Sequence, residues 1–122
     1  MKLDRNNIEK VLIEYLKNLI RYDTSYPPGS TTEISTYICK ILDDYGYTTT
    51  LHENKKGLIN IVAKMGKGSP SLVLNTHIDT VGPGDLENWN HNPFEAVIDG
   101  NNIFGLGAAN CKGSGAVQLW LA

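Results

Sequence analysis

Cysteine and clustered basic charge are both scarce in this sequence. Its 122 residues include two cysteines, Cys39 and Cys111, which form no Cys-x-x-Cys pair. The first residues lack the apolar core of a secretory leader, so we expect reduced thiols and a cytoplasmic location. No cluster of lysine and arginine is present, and the formal net charge is −2. This balance argues against electrostatic binding to nucleic acid.

Long apolar runs are also missing. No uninterrupted run approaches ~20 residues, so we expect no membrane span. Hydrophobic residues make up 41% of the chain and charged residues 20%. Fractions near the globular average disfavour a disordered chain, and the length is that of one ordinary domain.

The first 46 residues have the pattern of two helices. Capping boxes are predicted at Asn6 to Glu9 and at Ser30 to Glu33. The first helix should end before Tyr26–Gly29, because proline disfavours helical geometry in the preceding residue. Gly46 occupies the position of a left-handed cap that ends the second helix. Apolar residues at helical spacing form the two buried faces: Ile8, Val11, Leu12, Tyr15, Leu16, Leu19 and Ile20, then Ile34, Tyr37, Ile38, Ile41, Leu42 and Tyr45.

Glycine-rich turns and strand-like segments make up most of the remainder. Strands are predicted at Tyr47–Glu53, Leu58–Lys64 and Ser71–Thr76. The apolar run Leu72–Leu74 predicts a strand that is buried on both faces. A hairpin is expected around Asp99 to Asn101 and a helix from about Lys112. Helices and strands in this order predict a layered α/β domain: two helices followed by the strands of a mixed sheet.

The first candidate site is His77 with Asp79, directly after the predicted buried strand. Ligands of open α/β sheets bind beyond the carboxyl ends of the strands. Residues two apart share one side of an extended chain. A neutral imidazole binds zinc well, and a carboxylate on its other nitrogen fixes the tautomer. The alternative is a polar strand end that hydrogen-bonds the following loop.

The second candidate is the glycine-rich segment Gly105–Gly113, which enters the last predicted helix. A turn of this kind can direct backbone N–H groups toward an anion. It does not match a dinucleotide fingerprint, because Asn110 occupies the sixth position where Gly or Ala is required. It does not match a phosphate loop, because Gly113 follows Lys112 in place of Ser or Thr. Taken alone, the segment indicates a tight turn.

Together the two segments resemble the M20 family of metal-dependent amidohydrolases, which includes acetylornithine deacetylase, succinyl-diaminopimelate desuccinylase and glutamate carboxypeptidases. The family pattern G-H-x-D-x-V is similar to Thr76–Val81, and G-R-G-x-x-D-x-K-G is similar to Gly105–Gly113. The W and P-F of the intervening family loop match Trp89 and Pro93-Phe94. The N-terminal helices also suit the family, so the resemblance covers nearly the whole chain.

The resemblance implies an α/β/α zinc-hydrolase domain with two zinc ions in its site. His77 corresponds to a zinc ligand, and Asp79 to the catalytic-site carboxylate that orients it. Asn110 occupies the position of the aspartate that bridges both metals, and Trp89 that of a residue at the mouth of the substrate site. The implied substrates are N-acyl amino acids or small peptides.

Two departures and the length of the chain bear on activity. Asn110 is neutral and cannot be an anionic bridge between two cations, and Leu106 replaces the arginine of the family pattern. In the family, the general-base glutamate, the remaining ligands and the dimerisation domain follow the matched region. We therefore expect residues 1–122 to be the N-terminal portion of a catalytic domain, inactive alone, from a family of homodimers.

Two other functions stay open at this point. One is a degenerate, non-catalytic protein that binds a partner or ligand through the same fold. The other is a dinucleotide-binding α/β domain built on the glycine turn, which Asn110 argues against.

Overall fold

The structure is a computed structural model that describes residues 4–122. The described chain contains helices and small sheets in alternation, which confirms the predicted α/β class. The strands pair in three separate units: β1 with β4 in parallel, and β2 with β3 and β5 with β6 as antiparallel hairpins. The elements are α1 (Arg5–Arg21), β1 (Ser25–Tyr26), α2 (Thr32–Asp44), β2 (Thr48–Lys55), β3 (Leu58–Lys64), β4 (Thr80–Val81), a 3-10 turn (Leu86–Asn88), β5 (Val97–Asp99), β6 (Asn102–Phe104) and α3 (Lys112–Leu121).

The N-cap of helix α1 lies two residues before its predicted position. Asp4 is the N-cap, and its carboxylate accepts a hydrogen bond from the Asn6 N–H over 3.1 Å. Asn6 itself lies in the first turn. A carboxylate satisfies a free N–H and also complements the positive end of the helix dipole. The predicted cap was therefore wrong, whereas the end at Arg21, ahead of the prolines, agrees with the prediction.

Helix α2 begins at a tertiary contact with β3 and not at the predicted Ser30 box. Its N-cap is Thr31, whose side chain makes no bond to the helix. The Thr31 hydroxyl instead accepts from the Ile59 N–H (2.7 Å) and donates to the Ile59 carbonyl (3.0 Å). At the other end, the Gly46 N–H donates to the Asp43 carbonyl at φ +88°. This left-handed glycine confirms the predicted stop.

The predicted strand Ser71–Thr76 is wrong. In the described chain this segment has no regular secondary structure and belongs to no sheet, and Leu72 and Val73 are 85% and 81% exposed. A strand forms where a neighbouring strand satisfies its backbone, and here side chains of α3 do part of that work. Gln118 Nε2 donates to the Asn75 carbonyl over 2.9 Å. Apolar composition alone therefore mispredicted both the strand and its burial.

The hydrophobic core lies among the three helices. Burial of each large apolar side chain contributes roughly 1.5–3 kcal/mol, so the core fixes the helices against one another. It brings the start of α3 close to the end of α1. No helix of residues 4–122 is long and apolar enough to cross a membrane. The core residues are Leu19, Ile34, Ile38, Leu42, Ala116 and Leu119.

Candidate functional site

The structure brings His77 and Asp79 together. His77 Nδ1 lies 3.2 Å from Asp79 Oδ1 and 3.0 Å from the Asp79 carbonyl oxygen. Both side chains are more than half exposed, at 57% and 58%. A proton on Nδ1 satisfies these two acceptors and leaves the Nε2 lone pair free. Within residues 4–122 nothing hydrogen-bonds Nε2, so it is available to a ligand.

The end of α1 holds the segment that carries this pair. Thr24, which is buried, donates its hydroxyl to the Ile78 carbonyl over 2.7 Å. The Thr80 N–H donates to the Thr24 carbonyl over 3.1 Å, at the start of the parallel pairing of β1 with β4. The backbone on both sides of Asp79 is therefore fixed, although its side chain faces solvent.

The glycine turn folds against the same segment. Cys111 Sγ donates to the Asp79 carbonyl over 3.4 Å, which places the turn beside the pair. Cys111 has φ +46°, a left-handed conformation that is strained for a side chain with a Cβ. The adjacent Asn110 is exposed, and its side chain has no hydrogen-bond partner in the described chain. Its amide is thus not engaged by any group within residues 4–122.

Two side chains of the glycine-rich segment, Cys111 and Lys112, are buried, and the sequence did not predict their burial. Burial raises the pKa of the Cys111 thiol, so this sulfur stays protonated at neutral pH. Lys112 is 1% exposed, and its Nζ donates to the Tyr22 carbonyl over 2.7 Å. Burial lowers the pKa of Lys112 to about 8. No spacing in the sequence marks either contact, since both depend on how α3 packs against α1.

Trp89 is half-buried in a loop of its own. Its indole N–H donates to the Pro83 carbonyl over 2.8 Å. An open cavity of about 450 Å³ beside it is lined by residues of the loop itself and not by the His77–Asp79 pair: Leu86, Trp89, Asn90, His91, Asn92, Pro93 and Phe94. The structure does not join Trp89 to the pair.

The donors present fit one metal ligand but not a complete metal centre. His77 offers Nε2 with its tautomer set by Asp79, as zinc requires of an imidazole. Asn110 offers a neutral oxygen, and Cys111 offers a protonated sulfur. Among residues 4–122 no group of three or more His, Cys, Asp or Glu side chains is placed to hold a metal ion.

Comparison with known proteins identifies the family. Residues 73–122, which include His77, Asp79 and Asn110, match the model of peptidase family M20/M25/M40. This chain belongs to the M20 family. The family is generally metal-dependent, with zinc as its usual metal. The resemblance of the motif segments is therefore confirmed, and a dinucleotide-binding domain is disfavoured.

Curated relatives of the M20 chain are hydrolases named for removing acyl groups. N-formyl-4-amino-5-aminomethyl-2-methylpyrimidine deformylase of Bacillus subtilis is 33% identical over 89% of this chain and 27% of its own length. A Staphylococcus aureus protein named "Probable succinyl-diaminopimelate desuccinylase" is 29% identical, over 86% and 26%. Acetylornithine deacetylase of Aliivibrio fischeri is 34% identical, over 75% and 24%. The chain spans about a quarter of the length of these relatives.

Proposed function

We propose that this chain forms part of an M20-type, zinc-dependent hydrolase that cleaves amide bonds in N-acyl amino acids or small peptides. The printed names of the relatives support this class, since deformylation, desuccinylation and deacetylation each release an acyl group. The observation that carries the proposal is the contact between His77 Nδ1 and the Asp79 carboxylate. It lies inside the segment that matches the family.

In this proposal His77 is a zinc ligand through Nε2, and Asp79 is the carboxylate that orients it. The Nδ1–H bond fixes the tautomer and the orientation of the imidazole ring. It also raises the basicity of Nε2, and loss of such a partner typically weakens metal binding 10–100-fold. When bound, zinc would polarise the acyl carbonyl and lower the pKa of a water molecule.

Asn110 is the weak position of the proposed site. It lies at the place of the bridging aspartate and is near enough to the pair for Cys111, its neighbour, to contact Asp79. A neutral amide removes a negative charge that would hold two dications together. We therefore propose that residues 1–122 bind at most one zinc ion and do not hydrolyse amides alone. Three features that the resemblance implies stay predictions: the two-zinc site, the homodimer and the substrate contact of Trp89. Each would require more protein than residues 1–122.

Calorimetric zinc titration tests the proposal. The wild-type chain should bind zinc, Asp79→Asn should bind it about 10–100-fold more weakly, and Asn110→Asp should bind it more tightly. His91→Ala is the matched control, because His91 is also an exposed histidine and lies in the Trp89 loop. Equal affinity of Asp79→Asn and wild type would contradict the role of the carboxylate. Release of acetate or succinate by the purified chain with zinc would contradict its inactivity.

Asn110 and the incomplete donor set favour one second candidate, a non-catalytic binding protein derived from the M20 fold. Such a protein should stay monomeric, melt cooperatively and bind little hydrophobic dye. The exposed Leu72 and Val73 argue against it, because apolar patches of this kind bind dye or drive self-association. Dye fluorescence and the sedimentation coefficient, measured on the same sample, separate the two functions.

A further inference from the structure

Lys112 is a lysine whose side chain is fully buried, which is rare for a charged residue. It is among the largest fully buried side chains of the described chain. Its ammonium donates to the carbonyl of Tyr22, the C-cap of α1, at the negative end of that helix dipole. A buried ammonium is tolerated only where it is well bonded, so this contact has to be maintained by the surrounding fold.

The stem of Lys112 packs on Gly107 of the glycine-rich segment. A Cβ added at Gly107 would lie 3.1 Å from Lys112 Cδ and 3.1 Å from Thr80 Cγ2. The Lys112 N–H also donates to the carbonyls of Gly107 (3.2 Å) and Asn110 (2.6 Å), which closes the turn. Lys112 therefore packs against Gly107 of the turn that carries Asn110, and Gly107 in turn lies close to Thr80, the residue after Asp79.

The ammonium connects to the His77–Asp79 segment through the end of α1. Tyr22 precedes Thr24 by two residues, and Thr24 bonds both the Ile78 carbonyl and the Thr80 N–H. Lys112 Nζ therefore bonds the Tyr22 carbonyl, and residues 22–24 lead along the chain to Thr24. Thr24 in turn bonds the backbone on both sides of Asp79. Every group along this path is backbone or a buried side chain.

We propose that Lys112 is a positioning residue that holds the Asn110 turn at a fixed separation from the His77–Asp79 pair. This role rests on the proposed function of that pair as part of a metal-dependent hydrolase. Lys112 does not touch a substrate or metal in this proposal. It acts through the Tyr22 carbonyl and through the packing of its stem on Gly107.

Native-state amide exchange of the metal-free chain tests the role. Lys112→Met keeps the stem and removes the donor. The Thr80 amide should then exchange roughly tenfold faster, as expected for the loss of one hydrogen bond from a charged donor. Amides of the β2–β3 hairpin should be unchanged, and Lys112→Arg should restore slow exchange at Thr80. The matched control is Gln118→Met, which removes another bond from α3 to a backbone carbonyl, that of Asn75, and should leave Thr80 unaffected.

The contrary outcomes are distinct. Unchanged exchange at Thr80 in Lys112→Met would overturn the proposal, and so would uniform acceleration across the chain, which marks a general stabiliser. If Lys112→Met does not fold, nuclear Overhauser contacts in the wild type decide: contacts from the Lys112 side chain to Gly107 and Tyr22 support the proposal, and their absence overturns it. Zinc titration of the wild type reports separately on the proposed function, so failure of one is not mistaken for failure of the other.

Discussion

Alanine at Gly113 should destabilise the chain, although alanine normally favours helices. A Cβ at this position would lie 2.3 Å from the carbonyl oxygen of Ala108. Real Cβ contacts stay beyond about 3.0 Å, so either the turn or α3 must move by roughly 0.7 Å, given the close packing of protein interiors. The obstacle is backbone, which cannot rotate away as a side chain can. Overpacking of this kind costs about 1–3 kcal/mol, which outweighs the gain of up to about 1 kcal/mol in helix propensity.

Gly115 provides the matched control on the same helix. A Cβ there would make ordinary contacts of 3.7 Å with Leu19 and 3.8 Å with Thr76. Gly115→Ala should therefore stabilise the chain by about 0.5–1 kcal/mol. Because the helix-propensity gain is common to both, urea unfolding followed by circular dichroism should separate the two variants by about 1–3 kcal/mol. Equal stability of Gly113→Ala and Gly115→Ala would refute the described packing of the glycine turn on α3.

Three further perturbations follow from the same contacts. Thr31→Val leaves two partly buried backbone groups of Ile59 unbonded and should cost about 2–3 kcal/mol by urea unfolding, whereas Thr36→Val, at an exposed site, should cost under about 1 kcal/mol; similar losses would contradict the contact between Thr31 and Ile59. Gly46→Ala, at φ +88°, should cost about 1 kcal/mol by the same assay, and Gly82→Ala, where φ is ordinary and the space is open, should not. Burial lowers the pKa of Lys112 to about 8 from 10.5, so between these values the unfolded chain holds a proton that the folded chain has lost. Wild-type stability should therefore rise with pH relative to Lys112→Met, by up to about 3 kcal/mol, and a flat difference would contradict the burial.

Local patterns predicted the helices and their C-terminal ends well, but not their N-terminal caps. The 3.6-residue spacing of apolar side chains placed α1 and α2, because each helix buries one face against the common core. Gly46 and the prolines marked the ends, because their backbone preferences act without help from distant residues. The hairpin around Gly100 followed for the same reason.

Tertiary contacts decided what the sequence could not predict. Ser30 looks like a cap, yet Thr31 is the N-cap and uses its hydroxyl on Ile59, from a strand more than 25 residues away. The run Leu72–Leu74 looks buried, yet burial requires a neighbouring element that the described chain does not place there.

In the candidate site too, local contacts were predictable from sequence and tertiary contacts were not. His77 and Asp79 are neighbours in sequence, so their pairing followed from an extended backbone. The contact of Cys111 with Asp79 and the burial of Lys112 required the packing of α3 on α1. The separation of Trp89 from the pair also depends on the path of a long loop, which residue types do not specify.

The central claim is that His77 binds zinc through Nε2 while Asp79 holds Nδ1. Nitrogen-resolved NMR of the imidazoles during zinc addition tests it most directly, because the chain has three histidines and two of them, His52 and His91, serve as internal references. The account predicts that the His77 Nε2 resonance shifts while Nδ1 stays protonated and bonded to Asp79. A shift confined to His52 or His91, or zinc bound at Nδ1 of His77, would contradict it.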